Sequence, residues 1–340
     1  MNNINLNDLG WNSFLEEALK AQVEQQGRPA RVMTDFGHRL RLASEEGSFL
    51  ASPAPALAEG NDLPVVGDWV LYKRSDTYSD GVITSLLPRK TKFSRAAAGT
   101  VTKEQIVASN MDYVFLIQSL NADFNLRRLE RYLIAAWESG AVPVAVFTKI
   151  DLCPDSEERL LELRNAVKGV DIHGVSGVTQ ENMDALAAYF SPGKTIALVG
   201  SSGVGKSTLV NCLAGMEIQL TKEIREDDAR GRHTTTNRQL FVLDRGGLIL
   251  DTPGMRELKL WQGGEGMTEV FEDLEEIFAQ CRFRDCRHQR EPGCAVKAAL
   301  RSGRLSEKRW EHWLKLERER LSFEKRKNDK IKKMGKKVKS

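Results

Sequence analysis

The 340-residue sequence lacks long hydrophobic runs and contains few cysteines. No apolar stretch approaches the roughly 20 residues that a helix needs to span a bilayer, so we predict no transmembrane segment. The first ten residues lack a basic segment followed by an apolar one, and we therefore expect no secretory signal. The five cysteines are an odd number, which disfavours a disulfide framework and favours a reducing, cytoplasmic location.

The charge is nearly balanced over the whole chain, with 50 Lys and Arg against 47 Asp and Glu. Residues 301–340, however, contain 16 basic and 6 acidic side chains, a net charge of +10, which leaves −7 for residues 1–300. Such an asymmetry is typical of an acidic globular body with a basic end that binds a polyanion.

The first hundred residues predict a helical extension followed by a small barrel. Apolar residues at helical spacing predict a helix over 6–26, within an N-terminal extension of residues 1–27. Residues 28–97 contain short alternating runs separated by turn residues, with strands expected at 30–35, 39–43, 47–51, 67–73 and 81–87. Five such strands suit an OB-fold barrel. Periodicity alone does not exclude an SH3-like barrel.

Residues 98–262 change to apolar strands that alternate with helices, the pattern of an α/β domain with a parallel sheet. We expect strands at 113–120, 142–147, 171–175, 195–200, 239–244 and 248–251, and helices at 126–139, 156–167, 180–190 and 206–214. A glycine-rich stretch then begins a mostly helical module over 263–324, with its last helix at 306–327. The basic tail, residues 325–340, has no apolar period and is predicted to be disordered.

One segment of the α/β domain has the sequence of a phosphate-binding loop. Gly200 to Ser207 fits G-x-x-x-x-G-K-[ST], between a predicted strand and a predicted helix. Backbone N–H groups of such a loop converge on phosphates at a helix N-terminus. We expect Lys206 to reach the β- and γ-phosphates and Ser207 to ligate Mg²⁺. The remaining nucleotide-contacting residues of this segment are predicted to be Gly200, Ser201, Ser202, Gly203, Val204, Gly205 and Thr208.

Two further segments indicate a guanine nucleotide, and one of them is predicted to contact the base. Asp251 ends an apolar strand and begins Asp-Thr-Pro-Gly254, where the Asp can hold Mg²⁺ and the Gly254 N–H can sense the γ-phosphate. Thr148-Lys-Ile-Asp151 follows another strand. Asp151 can accept both guanine donors, N1–H and N2–H₂, while Lys149 packs along the base. Nucleotide contacts collect at the carboxyl ends of parallel strands, so the three segments together predict a GTP site.

The motif order resembles that of the circularly permuted GTPases of the RsgA (YjeQ/YloQ-like) family, over about residues 28–320. The guanine segment and a Val175-Ser176-Gly177 loop precede the phosphate-binding loop, and Gly231 to Thr236 and Asp251 to Gly254 follow it. The resemblance implies that Ser176 and Gly177 contact guanine. Thr148 stands where the family usually has Asn, so we expect some loss of loop anchoring. Gly177 stands where Ala is usual.

Met255 follows Gly254 at the position where Ras-type enzymes have a water-orienting glutamine. A thioether cannot position an attacking water, so we expect slow intrinsic turnover. His233 is the best local water-orienting group, and the alternative is a loop residue that packs against nucleotide or partner. Either Thr234 or Thr235 would supply the Mg²⁺ ligand from the switch segment, residues 231–236. We assign this role to Thr235, and the other two Mg²⁺ ligands to Ser207 and Asp251.

Three of the five cysteines crowd together with a histidine. Cys281, Cys286, His288 and Cys294 are a ligand set suited to one tetrahedral structural Zn²⁺ per chain, with no position left open for catalysis. The alternative, without a metal, is a set of buried cysteines and a surface histidine. Cys153 and Cys212 are predicted to be small buried apolar residues.

We therefore predict a cytoplasmic, monomeric three-domain GTPase: an N-terminal OB-fold barrel, a central permuted P-loop domain and a C-terminal zinc-binding helical domain. By resemblance it would act late in maturation of the small ribosomal subunit, with that subunit's rRNA and other assembly factors as partners. The alternatives are a GTPase of tRNA modification or translation, and a non-enzymatic RNA-binding scaffold with a nucleotide switch.

Overall fold

The computed structural model describes residues 4–22, 27–58, 63–74, 80–96, 104–121, 124–214, 238–243, 246–251 and 264–337. Across these ranges, every helix is too short or too polar to cross a bilayer. The chain divides into two compact units. The first comprises residues 1–94, 106–125 and 139–258, and the second comprises residues 95–105, 126–138 and 259–340.

A closed five-stranded barrel forms the N-terminal part of the first unit. Its strands pair in the order β1-β2-β3-β5-β4, and β4 returns to pair with β1. All pairs are antiparallel except β3 with β5. Alternate side chains fill the interior, including Val32, Leu42 and Ile83. The bounds are β1 Arg28–Asp35, β2 Leu40–Ser44, β3 Gly47–Pro53, β4 Trp69–Arg74 and β5 Gly81–Leu86, with the short helix α2 at Pro55–Ala58. The predicted barrel is confirmed.

A buried ion pair holds the loops of this barrel. Arg89 donates to both carboxylate oxygens of Asp68 at 2.8 Å, and Ser109 donates to one of them at 2.5 Å. Ser109 ends β7 (Glu104–Ser109), which pairs with β6 (Lys92–Ala96). This two-stranded sheet was not predicted from the sequence, since neither segment alternates strongly between polar and apolar residues.

The second part of the first unit is a sheet in the order β10-β9-β8-β11-β13-β12. The first five strands are parallel and β12 is antiparallel to β13. Every residue of β11 is buried, as expected for a strand inside a parallel sheet. The strands are β8 Tyr113–Ser119, β9 Val142–Thr148, β10 Asp171–Gly174, β11 Thr195–Gly200, β12 Gln239–Val242 and β13 Leu248–Asp251. The helices are α4 Ser156–Ala166, α5 Met183–Ala187 and α6 Lys206–Ala214, with a 3₁₀ turn at Ile150–Leu152.

Two predicted helices are shorter in the structure. The helix expected over 6–26 is α1, Ser13–Ala21. Before it the chain makes successive turns up to Gly10, whose φ of +92° is not helical, and Asn12 caps the helix by accepting from the N–H of Leu15. The helix expected over 180–190 is only Met183–Ala187, because Gln180 and Asn182 both have positive φ.

The second unit is helical. Buried apolar residues from each of its helices form one core, among them Ile134, Phe271 and Leu316. Within that core Glu130 is 4% exposed, is in contact with the Arg309 guanidinium and lies 2.7 Å from Nδ1 of His312. The helices are α3 Leu126–Glu138, α7 Gly264–Val270, α8 Glu272–Phe278, α9 Ala295–Arg301 and α10 Glu307–Lys337.

The basic tail was predicted to be disordered, and the structure differs. Helix α10 continues through it to Lys337. Ser306 caps the start by accepting from the N–H of Arg309. Lys and Arg are strong helix formers and no proline interrupts the segment, so intrinsic propensity continues the helix where an apolar period is missing.

Candidate functional site

The phosphate-binding loop joins a buried strand to a helix, as its sequence predicts. Gly203 and Gly205 have φ of +78° and +95°, which a side chain would strain. A Cβ on Gly200 would lie 2.4 Å from the carbonyl oxygen of Ile117 in the neighbouring strand β8. Lys206 donates from Nζ to the carbonyls of Gly200 and Ser201 at 2.7 and 2.6 Å. The ammonium is therefore held against the loop, where it is predicted to contact the phosphates of the nucleotide.

Thr148 ends β9 and ties the guanine segment to this loop. Its side chain is buried, and its hydroxyl donates to the carbonyl of Val204 at 2.5 Å, with the carbonyl of Gln118 at 3.3 Å as a second acceptor. We expected threonine in place of the usual asparagine to weaken anchoring of the loop. The structure shows that the hydroxyl keeps a direct bond to the phosphate-binding loop.

Lys149 makes a second connection between the two segments. It takes a left-handed conformation, with φ of 61°, which turns the chain out of β9 into the 3₁₀ turn. From there its Nζ donates to the carbonyl of Gly203 at 2.8 Å. The aliphatic part of the side chain thus spans the distance between the guanine segment and the phosphate loop. Asp151 follows in the 3₁₀ turn and is exposed.

The Ser176-Gly177 loop is organised by its own serine. Ser176 is fully buried, and its hydroxyl oxygen accepts from the N–H groups of Val178 and Thr179 at 3.2 and 3.1 Å. On the other side, Cys212 of α6 donates its S–H to the carbonyl of Gly177 at 3.2 Å. A Cβ on Gly177 would approach the Thr208 methyl to 2.9 Å. Glycine therefore fits where the family usually has alanine, because Thr208 fills the space.

Asp251 lies at the carboxyl end of β13, next to β11, where Leu198 is its register partner. The structure therefore places Asp251 and the residues of segments 148–151, 176–177 and 200–208 at one edge of the sheet. Ser207 and Thr208 are exposed there. His233, Thr234, Thr235 and Gly254 lie outside the described residues, as does Met255.

The cysteine–histidine cluster lies in the second unit. The ligand atoms of Cys281, Cys286, His288 and Cys294 all lie within 4.8 Å of one another. Nδ1 of His288 is 3.6 Å from Sγ of Cys281 and 3.7 Å from Sγ of Cys294. A tetrahedral Zn²⁺ with Zn–S near 2.3 Å and Zn–N near 2.0 Å would separate sulfur and nitrogen by about 3.5 Å. The donor set and its spacing fit that ion, so this cluster could hold a metal.

The surroundings of the cluster support metal binding. Desolvation lowers the pKa of His288, which keeps the imidazole neutral and able to donate its lone pair. The ring stacks on Phe278 at 4.5 Å and meets Trp310 edge-on, which fixes its orientation. Desolvation, with hydrogen bonds to the neighbouring thiols, raises the pKa of Cys286 to about 11. A bound cation would reverse that shift, because it stabilises thiolates.

Sequence reasoning missed part of this arrangement. Cys153 is buried, as predicted, but Cys212 is only half-buried and makes the polar contact with Gly177. The sequence gives one indication of this contact, because Cys212 lies on the helix that directly follows the phosphate-binding loop. The hydroxyl role of Thr148 had no local signal, since its acceptor is 56 residues away.

Comparison with known proteins agrees with the geometry. The model of the RsgA GTPase family matches residues 86–261. Small ribosomal subunit biogenesis GTPase RsgA 1 of Listeria innocua is 43% identical over 330 residues, covering 95% of this chain and 91% of that protein. Small ribosomal subunit biogenesis GTPase RsgA of Opitutus terrae is 42% identical over 327 residues, covering 92% of this chain and 89% of that protein.

A solved structure gives the same result in three dimensions. YjeQ from Thermotoga maritima superposes with a TM-score of 0.65 at 28% sequence identity, covering 87% of this chain and 99% of that one. The family model spans more than half of the chain, and the relatives span nearly all of it. This chain therefore belongs to the RsgA family of GTPases.

Proposed function

We propose that this protein binds the small ribosomal subunit and hydrolyses GTP to GDP and phosphate late in the maturation of that subunit, with hydrolysis coupled to its own or another factor's release. The observation that carries the proposal is the bonding of the guanine segment to the phosphate-binding loop through Thr148 and Lys149. A nucleotide bound to both segments would have its guanine and its phosphates recognised at the same edge of the sheet. The names of the relatives support the ribosomal partner.

The proposal assigns residues to the phosphate, magnesium and guanine contacts. Lys206 and the loop N–H groups bind the β- and γ-phosphates, and the Gly254 N–H senses the γ-phosphate. Ser207, Asp251 and Thr235 would hold Mg²⁺, which when bound neutralises charge on the phosphates. Asp151 accepts from guanine, while the backbone of Gly177 donates to guanine O6.

Guanine selection has a direct test. Xanthine presents a carbonyl where guanine presents its 2-amino group, so an amide in place of the carboxylate should prefer xanthine. Asp151→Asn is therefore expected to lose GDP affinity and gain XDP affinity, measured by calorimetry. Unchanged GDP binding would exclude Asp151 from the guanine site.

His233 is proposed to orient the attacking water. His233→Ala should bind GTP normally and lose the hydrolysis that the small subunit stimulates. If stimulated hydrolysis persisted at the normal rate, His233 would be a packing residue of its loop.

The cysteine–histidine cluster is proposed to hold one structural Zn²⁺. Its four protein ligands complete the coordination, so the ion would stabilise the C-terminal fold and take no part in hydrolysis. Elemental analysis of protein purified without chelator should give one zinc per chain. A zinc-free, folded protein would refute this assignment.

The domain boundaries are proposed at 28–97 for the OB-fold barrel, 98–262 for the GTPase domain and 263–324 for the zinc module, between the extension and the tail. We also propose a cytoplasmic monomer whose tail binds rRNA electrostatically. Deleting residues 325–340 should then weaken association with the subunit and reduce its salt dependence.

The decisive experiment measures GTP turnover with and without purified small ribosomal subunits. We expect slow turnover alone and strong stimulation by the subunit. Absence of stimulation would refute the proposal, and stimulation by tRNA in its place would favour a role in tRNA modification or translation.

A further inference from the structure

The segment that contains the cysteine–histidine cluster and helix α9 carries an excess of positive charge. Residues 281–304 contain seven Lys and Arg and only two acidic residues. Glu291 is one of the two, and its carboxylate accepts from three backbone N–H groups of the loop, including those of Gln289 and Arg290 at 2.9 Å. It therefore shapes the loop and leaves the basic side chains unneutralised.

Four of the basic residues, Arg282, Arg284, Arg287 and Arg290, lie between the metal ligands and are exposed. We call residues 282–290 the arginine loop. Among the described residues, none of these four arginines pairs with a carboxylate. Unpaired, exposed arginines at this density are common on nucleic-acid-binding surfaces and do not stabilise a fold.

The arginine loop also exposes an aromatic ring. Phe283 is 41% exposed, and the guanidinium of Arg282 lies over its ring at 5.6 Å from the centroid. Single exposed apolar side chains are common on protein surfaces, so this ring matters because it lies among arginines that pair with no carboxylate in the part of the chain that the structure describes. A ring with a guanidinium beside it is the combination on which unstacked RNA bases stack.

A groove continues this surface. It has a volume of about 520 Å³, and its basic members are Lys297, Arg301 and Arg304, which we call the basic groove. Arg301 and Arg304 donate to the carbonyl of Lys297 and to the Gln280 side chain, so neutral acceptors hold them in place without removing their charge. The groove can take phosphates while Phe283 takes a base.

We propose that the arginine loop and the basic groove form a binding surface for single-stranded RNA, in which Phe283 stacks on an unpaired base and Arg301 and Arg304 contact backbone phosphates. This inference rests on the proposed function, because it names the part of the protein that would meet an exposed rRNA segment. The chemistry favours RNA over an acidic polypeptide, since a polypeptide would satisfy the arginines but would give Phe283 no base to stack on.

The test uses the full-length protein, purified small subunits and a fluorescent twelve-nucleotide oligoadenylate as probes. Phe283→Leu should weaken binding at least about fivefold, because one stacked base contributes about 1–3 kcal/mol, and should leave the salt dependence unchanged. The double variant Arg301→Gln, Arg304→Gln should reduce the slope of log affinity against log salt by roughly 1.4, since each phosphate contact on a single strand contributes about 0.7.

Matched controls separate the surface from general effects. Phe14→Leu removes an equally exposed ring elsewhere, and the double variant Lys315→Gln, Arg318→Gln removes two charges from exposed positions on α10. Both should bind as wild type does. Arg282→Gln removes the guanidinium that lies over the Phe283 ring and keeps the ring itself, so it tests stacking a second time. Zinc content and basal GTP turnover, measured for every variant, should equal those of wild type.

The outcomes distinguish this inference from the proposed function. If wild type binds subunits and all surface variants bind within twofold of it, the inference fails and the proposed function stands. If wild type binds neither subunits nor oligoadenylate, both fail. If polyglutamate displaces the RNA probe and Phe283→Leu changes neither interaction, the surface is an acidic-protein site and the inference is overturned.

Discussion

The bond between Thr148 and the phosphate-binding loop makes a quantitative prediction. The Thr148 side chain is 4% exposed and its hydroxyl lies 2.5 Å from the Val204 carbonyl. Thr148→Val conserves shape and removes only the hydroxyl. A hydrogen bond contributes about 0.5–1.5 kcal/mol net, and an unsatisfied buried group costs about 1–3 kcal/mol. We therefore expect the variant to lose about 1–2 kcal/mol of stability in urea denaturation.

The same change should appear in nucleotide binding. If the hydroxyl holds the guanine segment at the correct distance from the phosphate-binding loop, we expect the variant to lose about 1.4 kcal/mol of binding free energy as well. That loss corresponds to a roughly tenfold higher Kd for Mg²⁺–GDP. Isothermal titration calorimetry with GDP avoids interference from turnover. Thr148→Ser is the control, because it keeps the hydroxyl and removes a methyl group.

The result that would refute this reasoning is specific. If Thr148→Val binds GDP as tightly as wild type and Thr148→Ser binds weakly, then methyl packing positions the segment and the hydroxyl does not. If Thr148→Val binds normally but loses stability that Thr148→Ser retains, the bond supports the fold without positioning the nucleotide.

Four further results are expected. Asp68→Asn should cost about 3–5 kcal/mol in urea denaturation, because it breaks a buried ion pair, whereas Asp155→Asn in an exposed pair should leave the midpoint unchanged. Gly200→Ala should abolish GDP binding and lower the Tm, because its Cβ would strike a backbone carbonyl of β8, whereas Gly169→Ala has open space and should only strain a left-handed φ. Treatment with a chelator should abolish the near-ultraviolet dichroism of the aromatic rings around the cysteine–histidine cluster while GDP binding persists, and an unchanged spectrum would refute the proposed metal site. Burial, with a hydrogen bond to a neighbouring carboxylate, raises the pKa of Tyr189, so the folded state keeps a proton that the unfolded state loses above about pH 10. Stability should therefore fall as pH rises beyond 10, and urea denaturation of Tyr189→Phe should show a shallower fall.

The strand, loop and helix that carry the predicted nucleotide site follow from local sequence. The strand before the phosphate loop and the helix after it have their predicted bounds, 195–200 and 206–214. Both segments are specified by strong local signals: an apolar run without interruption, then glycines at fixed spacing, then a helix start. The four residues of the cysteine–histidine cluster share this property, since they fall within 14 residues.

The parts that escaped prediction depend on contacts distant in sequence or on single backbone angles. The bond of Cys212 to Gly177 spans 35 residues, and no periodicity reports it. The first helix begins only at Ser13, after Gly10, whose single positive φ composition does not reveal. The tail shows the opposite case, in which intrinsic helix propensity outweighs the missing apolar pattern.

Helix α3 has a practical consequence for dissecting the protein. It comes from the middle of the chain, yet its Glu130 and Ile134 belong to the core of the second unit. A fragment that began at residue 264 would contain the whole cysteine–histidine cluster but would lack Glu130, leaving Arg309 and His312 without a buried carboxylate. Such a truncation should express as an aggregating or partly folded polypeptide. Separating the second unit intact would require joining residues 95–105 and 126–138 to it.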